Sequence, residues 1–224
     1  MWITAAEYFN KINADSRKYF EINENIYEIT PDRIPIDFTK IFNKENSVLK
    51  FEIGFGNGES IIKLAKKNSD INYFGIDRKM DRVRTALAKL NKAEPIPNLK
   101  IARSGTDYIE EMISAGSFDE IIMNFPDPWP KKKHHKNRTI NDDFVKIIHR
   151  LLKPEGIFRF ASDHEEYSME VLGVFQDSEI FESLYENGFK NEVKDRIQTQ
   201  FEKHKTKAGL KIYHLKFRKK PLSS

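Results

Sequence analysis

The chain has 224 residues, no cysteine and a formal net charge of +4, enough length for one α/β domain with a substantial core and no means of forming disulfides, thiolate nucleophiles or cysteine-ligated zinc. The charge is uneven: residues 131–138 carry five cationic side chains and residues 203–224 carry eight, with no acid in either stretch, so a polyanionic partner met on one side is expected. No apolar run approaches transmembrane length and the first residues lack the basic-then-apolar order of a signal peptide, which predicts a cytoplasmic protein with no membrane partner.

In chain order, residues 1–40 combine mixed charge with Pro31 and Pro35 and read as an irregular or partly helical arm. Residues 41–224 read as a single domain with a basic C-terminal end. Short β-branched runs predict strands over Val48–Ile53, Asn72–Ile76, Leu99–Ala102, Phe118–Met123 and Gly156–Ala161. Between them Glu59–Lys67, Asp81–Asn91, Tyr108–Ile113 and Asn141–Leu152 place apolar residues at three- and four-residue spacings, which predicts amphipathic helices. The segment KPEG, Lys153–Gly156, punctuates the last of these before a strand. Another helix is expected after Tyr167, then an antiparallel pair over Phe189–Gln198 and Leu210–Phe217. This alternation is the signature of a mostly parallel sheet covered by helices.

The loop EIGFGNG, Glu52–Gly58, follows the first strand and opens a helix. Gly54, Gly56 and Gly58 stand two apart, whereas a dinucleotide fingerprint keeps its third glycine three residues after the second. Glu52 puts negative charge beside the loop, which disfavours phosphate and suits a cationic ligand. S-adenosylmethionine, with its sulfonium and ammonium groups, has that charge. Asp77, nineteen residues after Gly58, ends the second strand, where a carboxylate could accept from both ribose hydroxyls. Its alternative is to cap the helix that begins near Met80.

The stretch NFPDPWPKKKHHKNR, Asn124–Arg138, follows the fourth strand. Prolines 126, 128 and 130 alternate with Asp127 and Trp129, each fixing its own φ and pushing the preceding residue out of the helical region. A stiff loop of this kind holds a carboxylate and an aromatic face in fixed relation without an ordering cost on binding. The basic run ending at Arg138 can contact phosphates. A bland reading makes it a proline-rich connection with solvated lysines. His134 and His135 are adjacent and so diverge, and the other histidines are dispersed. No metal site is expected.

EIGFGNG, Asp77 and NFPDPWPKKKHHKNR together closely resemble the tRNA (guanine-N7)-methyltransferases of the bacterial single-chain type. ASD, Ala161–Asp163, resembles the aspartate after the fifth strand in that family, and TQFE, Thr199–Glu202, its late threonine-to-glutamate motif. The resemblance runs from about Leu49 to Phe217. It implies a doubly wound, Rossmann-like α/β fold with a seven-stranded, mostly parallel sheet, that of the class I S-adenosylmethionine-dependent methyltransferases. It also implies tRNA as partner, with methylation of N7 of a guanosine in the variable loop. By this correspondence Glu52, Gly54, Gly56, Gly58, Asp77, Thr106, Asn124 and Asp127 serve the cofactor. Lys131, Asp163, Thr199 and Glu202 serve the substrate by the same correspondence; the residues themselves add Trp129 as a stacking face and Arg138 as a phosphate contact on the substrate side, with Asp127 as the catalytic candidate. The family usually has an Asp-Ala pair near the adenine after the third strand. Gly105 and Thr106 stand there in this chain, with Asp107 just beyond.

Guanine N7 is an unprotonated lone pair, so its alkylation needs positioning and no general base. The purine gains positive charge as the methyl arrives, which a fixed carboxylate such as Asp127 would stabilise; Asp127 could equally grip the guanine N1 and N2 donors. Phe125 or Trp129 could stack on the extruded base, a contact worth about 1 to 3 kcal/mol, or belong to the core. Without the resemblance, Asp163 reads equally as a helix cap and Thr199 with Glu202 as a capping box. Two competing readings remain open. One is an amino-group methyltransferase, because Asn124–Pro126 partly resembles an NPPY-type motif; the other is a non-catalytic RNA-binding protein on the same fold. The sequence leaves monomer and homodimer undecided.

Overall fold

The computed structural model describes residues 3–14, 23–42, 48–193 and 197–221. The chain divides into two compact units, Met1–Ser114 and Ala115–Ser224. Its seven strands form one sheet in the order β3-β2-β1-β4-β5-β7-β6, with strands numbered along the chain as they are introduced below.

In the first unit, helix α1 (Ala5–Ala14) starts at a reciprocal capping box: Thr4 Oγ1 accepts from Glu7 N at 3.2 Å, and Glu7 Oε2 accepts from Thr4 N at 2.7 Å. It buries Phe9 completely. A 3₁₀ turn (Pro31–Arg33) and helix α2 (Phe38–Phe42) follow. Strands β1 (Leu49–Ile53), β2 (Asn72–Asp77) and β3 (Leu99–Arg103) are parallel, with Leu49 opposite Asn72 and Tyr73 opposite Leu99. Every residue of β2 is buried, as a strand flanked by two others and covered on both faces requires. Helices α3 (Glu59–Lys67) and α4 (Met80–Leu90) turn Ile61, Ile62 and Ala65, and Val83, Ala86, Leu87 and Leu90, into one apolar cluster. The short helix α5 (Ile109–Met112) closes the unit. Beyond α1, described residues of the arm also meet the sheet. Ile26 pairs with Ile101, Tyr27 N donates to Ile101 O at 2.8 Å, and Ile101 N donates to Asn25 O at 2.7 Å, so the arm covers the outer edge of β3.

The second unit contains β4 (Phe118–Asn124), a 3₁₀ segment (Lys132–Asn137), α6 (Asp142–Leu151), β5 (Leu152–Ser162), α7 (Glu165–Asp177), β6 (Phe181–Ser183), α8 (Gln200–Lys207) and β7 (Tyr213–Lys219). Strand β4 runs parallel to β5, and β7 runs antiparallel to β5 and to β6. Phe158, Phe175 and Phe217 stack in series, with centroids 4.8 and 4.4 Å apart and planes within 11°. Such pairs add about 0.5 to 1.5 kcal/mol each beyond burial.

Two edge features differ from expectation. KPEG lies inside β5: Leu152 pairs with Phe118, but the next pairing is Ile157 with Glu120. The extra residues bulge there, with Glu155 at φ +61°, and Pro154, which lacks an N–H, fits the interrupted ladder. The strand beside β7 is Phe181–Ser183, while the expected strand Phe189–Gln198 contributes one bridge, Lys190 to His214. Residues 194–196 of that segment lie outside the described residues.

Candidate active site

The glycine loop of the first unit turns at the carboxyl end of β1. Gly54 N and Phe55 N both donate to Ile76 O, at 2.8 and 3.2 Å, which folds the loop over the end of β2. Asp77 then closes it: Oδ2 accepts from Gly56 N at 2.9 Å and Oδ1 from Lys79 N at 2.8 Å. The residue at the cap position of α4 is Lys79, so Asp77 binds the loop rather than capping that helix. Burial pushes the Asp77 carboxyl above its usual range, and the Lys79 and Gly56 amides partly offset this. Glu52 is buried on β1, two residues before Gly54.

Two glycines are required by geometry. Gly56 sits at φ +58° where its amide reaches Asp77. Gly58, at φ +75°, opens α3, and a Cβ there would lie 2.8 Å from Ala86 Cβ and 3.1 Å from Ile62 Cδ1. Gly58→Ala is therefore expected to cost about 1 to 3 kcal/mol of stability, measured by urea unfolding. Thr106 lies half-buried in the loop after β3, whose Ser104 N donates to Asp77 O at 3.1 Å.

In the second unit, Asn124 ends β4 opposite Ala161, and Phe125 N donates to Ala161 O at 2.7 Å. The proline-rich loop is less extended than expected, because Phe125 and Trp129 adopt φ of +51° and +46°. Proline disfavours the right-handed helical region for its predecessor, and the left-handed region is uncommon for such bulky side chains, so tertiary packing must hold these residues there. Arg138 supplies one such hold. Its side chain is buried, Nε donates to Pro128 O at 2.9 Å, Nη1 bonds Glu170, Nη2 lies 3.3 Å from Glu166 Oε1, and the guanidinium sits 5.0 Å from the Tyr167 ring centroid. Arg138 thus holds the loop from inside. His135, 3.5 Å from Glu166, shares this cluster. Among the described residues, His135, Glu166 and Glu170 have metal-binding spacing, but both carboxylates already face the Arg138 cation. Asp127, Trp129 and Lys131–Lys133 are exposed.

Asp163 follows β5 without capping α7; the cap is His164, whose Nδ1 accepts from Tyr167 N at 3.3 Å. Asp163 instead pairs with Lys205 of α8, Nζ to Oδ2 2.7 Å. Thr199 caps α8, accepting from Glu202 N at 3.1 Å. The Glu202 side chain is buried 3.8 Å from His214 Nε2. The structure therefore joins Asp163 to α8, the helix that carries Glu202.

Three residues in this region escaped the sequence reading. Phe201 is 48% exposed, packs edge-on to Phe125 at 5.0 Å, and lies under Lys205 Nζ, also at 5.0 Å. The four-residue step from Phe201 to Lys205 was a usable signal. Nothing local in the sequence announced that His214 of β7 would face Glu202.

The family model described as a putative methyltransferase matches residues 46–215. A tRNA (guanine-N(7)-)-methyltransferase of Leptospira interrogans is 34% identical over 176 residues, covering 78% of this chain and 80% of that protein. One from Buchnera aphidicola is 35% identical over 185 residues, covering 82% of this chain and 76% of that protein. The chain belongs to the tRNA (guanine-N7)-methyltransferase family. The fold agrees with that placement: a solved antibiotic-related methyltransferase aligns with a TM-score of 0.58 at 17% identity, covering 88% of this chain and 96% of that one. The architecture is the class I methyltransferase fold. Every site candidate lies within the stretch matched by the family, whereas α1 lies outside it.

Proposed function

We propose that this protein transfers a methyl group from S-adenosylmethionine to N7 of a guanosine in the variable loop of tRNA, in the cytoplasm, with residues 41–224 acting as one methyltransferase domain. The observation that carries the reading is the loop Asn124–Arg138, which presents an exposed carboxylate and an exposed indole on a backbone held by the buried Arg138. The tRNA (guanine-N(7)-)-methyltransferases to which the chain is similar support the substrate class.

The cofactor suits the first unit. A loop bordered by the carboxylates of Glu52 and Asp77 repels phosphate, and the space beside Gly58 is too tight for a side chain. Asp77 would receive the ribose hydroxyls on lone pairs its two amide donors leave open, Gly54 and Gly56 would let the backbone approach, and Glu52 would face the charged methionine end. Bound there, the cofactor would supply an electrophilic methyl on a sulfonium, leaving as the neutral thioether, and N7, which carries no proton, would need no general base from the chain. The chain's own task is to orient the base and stabilise the charge it acquires. Asp127 does this electrostatically, and Trp129 and the Phe125–Phe201 pair offer stacking faces. Asp163, Thr199 and Glu202 define the substrate side near α8, and Lys131 with its neighbours meets phosphate.

Incubating the purified protein with S-adenosylmethionine and unmodified tRNA, followed by nucleoside mass spectrometry, should yield 7-methylguanosine. Cofactor binding without that product, or N6-methyladenosine in its place, would sink the proposal. Replacing Lys131, Lys132 and Lys133 by alanine should flatten the dependence of log affinity on log salt by roughly 0.7 to 0.9 for each phosphate that is no longer neutralised. An unchanged slope would show that these lysines do not meet phosphate.

A further inference from the structure

Helix α8, of sequence QFEKHKTK, docks without an apolar stripe. Phe201 is left 48% exposed, and among the described residues of the helix Glu202 alone is buried. A helix ordinarily seats itself by burying the apolar side chains of one face, whereas this one is seated by an acid. Burying a carboxylate is costly unless an opposite charge or a donor faces it. His214 of β7 meets that need, its Nε2 standing 3.8 Å from Glu202 Oε1 with both side chains almost wholly buried.

The imidazole stands on a fixed backbone. His214 pairs with Ala161 of β5 on one side, and on the other it exchanges both backbone hydrogen bonds with Lys190, at 2.8 and 2.9 Å. Ala161 is also the residue whose carbonyl accepts from Phe125 N. Two consecutive residues of α8 therefore reach the two flanks of one strand: Phe201 packs edge-on to Phe125 just beyond β4, and Glu202 meets His214 on β7. Farther along the helix, Lys205 ties to Asp163, and its ammonium lies 5.0 Å from the Phe201 ring centroid. That second tie is partly exposed and holds less firmly. A buried pair adds little net stability but strongly penalises arrangements that separate its partners, so it suits holding a helix at one position.

We propose that His214 is a positioning residue for methyl transfer: by pairing with the buried Glu202 it docks α8, and so fixes the exposed ring of Phe201 as the face on which the extruded guanine stacks. The inference rests on the tRNA-methylation reading above. It makes Glu202 an inward-facing anchor of α8 and gives the base contact to the residue before it.

The test is a double-mutant cycle on the full chain: kcat/KM for tRNA, followed by 7-methylguanosine formation, in the unaltered protein, His214→Leu, Phe201→Ala and the double variant. Calorimetric S-adenosylhomocysteine affinities and thermal melts accompany each. Phe201→Ala should lower kcat/KM about tenfold or more, the loss of one stacked base. His214→Leu should lower it about fivefold or more beside Phe201, but less than about twofold once Phe201 is alanine, because its effect passes through that ring. A merely structural loss would be the same in both backgrounds. Affinity for S-adenosylhomocysteine should stay unchanged throughout. His214→Gln, whose amide stands near the position of Nε2, should recover part of the loss. His214→Asn, whose amide falls short of it, should not, and takes the place of leucine in the cycle where that variant does not fold. Losses that multiply overturn the inference while the methylation reading stands, as does full activity in the leucine or asparagine variant, or a parallel loss of S-adenosylhomocysteine affinity. No 7-methylguanosine from the unaltered protein overturns the methylation reading and this inference with it.

Discussion

Replacing Asp127 by alanine is expected to lower turnover by about 10²- to 10³-fold, with a far smaller effect on S-adenosylmethionine affinity. Asp127 stands on the exposed loop of the second unit, whereas Asp77 and the glycine amides stand in the first. Positive charge appears on the purine only as the N7–carbon bond forms, so a fixed carboxylate contributes more to the transition state than to the bound ground state. Asp127→Asn separates charge from base selection. If charge is the role, kcat falls nearly as far as in the alanine variant while KM for tRNA changes little. Single-turnover rates together with calorimetric cofactor affinities provide the check. Turnover unchanged in Asp127→Ala would exclude the catalytic role.

Arg138→Met is the second large effect. Methionine replaces much of the buried stem, so the change removes mainly the guanidinium. Glu166 and Glu170 are 60% and 39% exposed and regain water when it is removed, so their ion pairs contribute little to the penalty. Pro128 O loses its donor and Tyr167 its cation. A stability loss of about 1 to 2 kcal/mol follows, measured by urea unfolding. Activity should fall by more than this loss explains, because Phe125 and Trp129 are released from left-handed backbone and the loop carrying Asp127 loses its support. Wild-type turnover in a stably folded Arg138→Met protein would show that the loop needs no clamp.

Several parts of the site were legible in the sequence because their cause is local. The glycines of Glu52–Gly58 reflect a turn with positive φ at Gly54, Gly56 and Gly58, and Asp77 was readable because a strand end fixes its distance from that turn. Helices α3, α4 and α6 and strands β1 to β4 followed from periodicity, which burial of one face imposes on neighbouring residues. Residues answering to distant partners were not legible this way. Arg138 reads as one more cation in a basic run until the fold supplies Glu166, Glu170, Tyr167 and Pro128 O around it. Asp163 reads as a helix cap until Lys205 reaches it across 42 positions of chain.

By itself the sequence determined the order of β1 to β5 and the helices between them, the glycine turn with its acidic border, and the proline spacing that bars Phe125 and Trp129 from the right-handed helical region. These follow from backbone sterics and from apolar residues repeating at the period of their own element. Only the tertiary structure decided that β6 is Phe181–Ser183, that Arg138 faces inward, that Phe201 meets Phe125, and that Glu202 meets His214. Each depends on side chains far apart in sequence meeting at one place, and no local propensity encodes the partner.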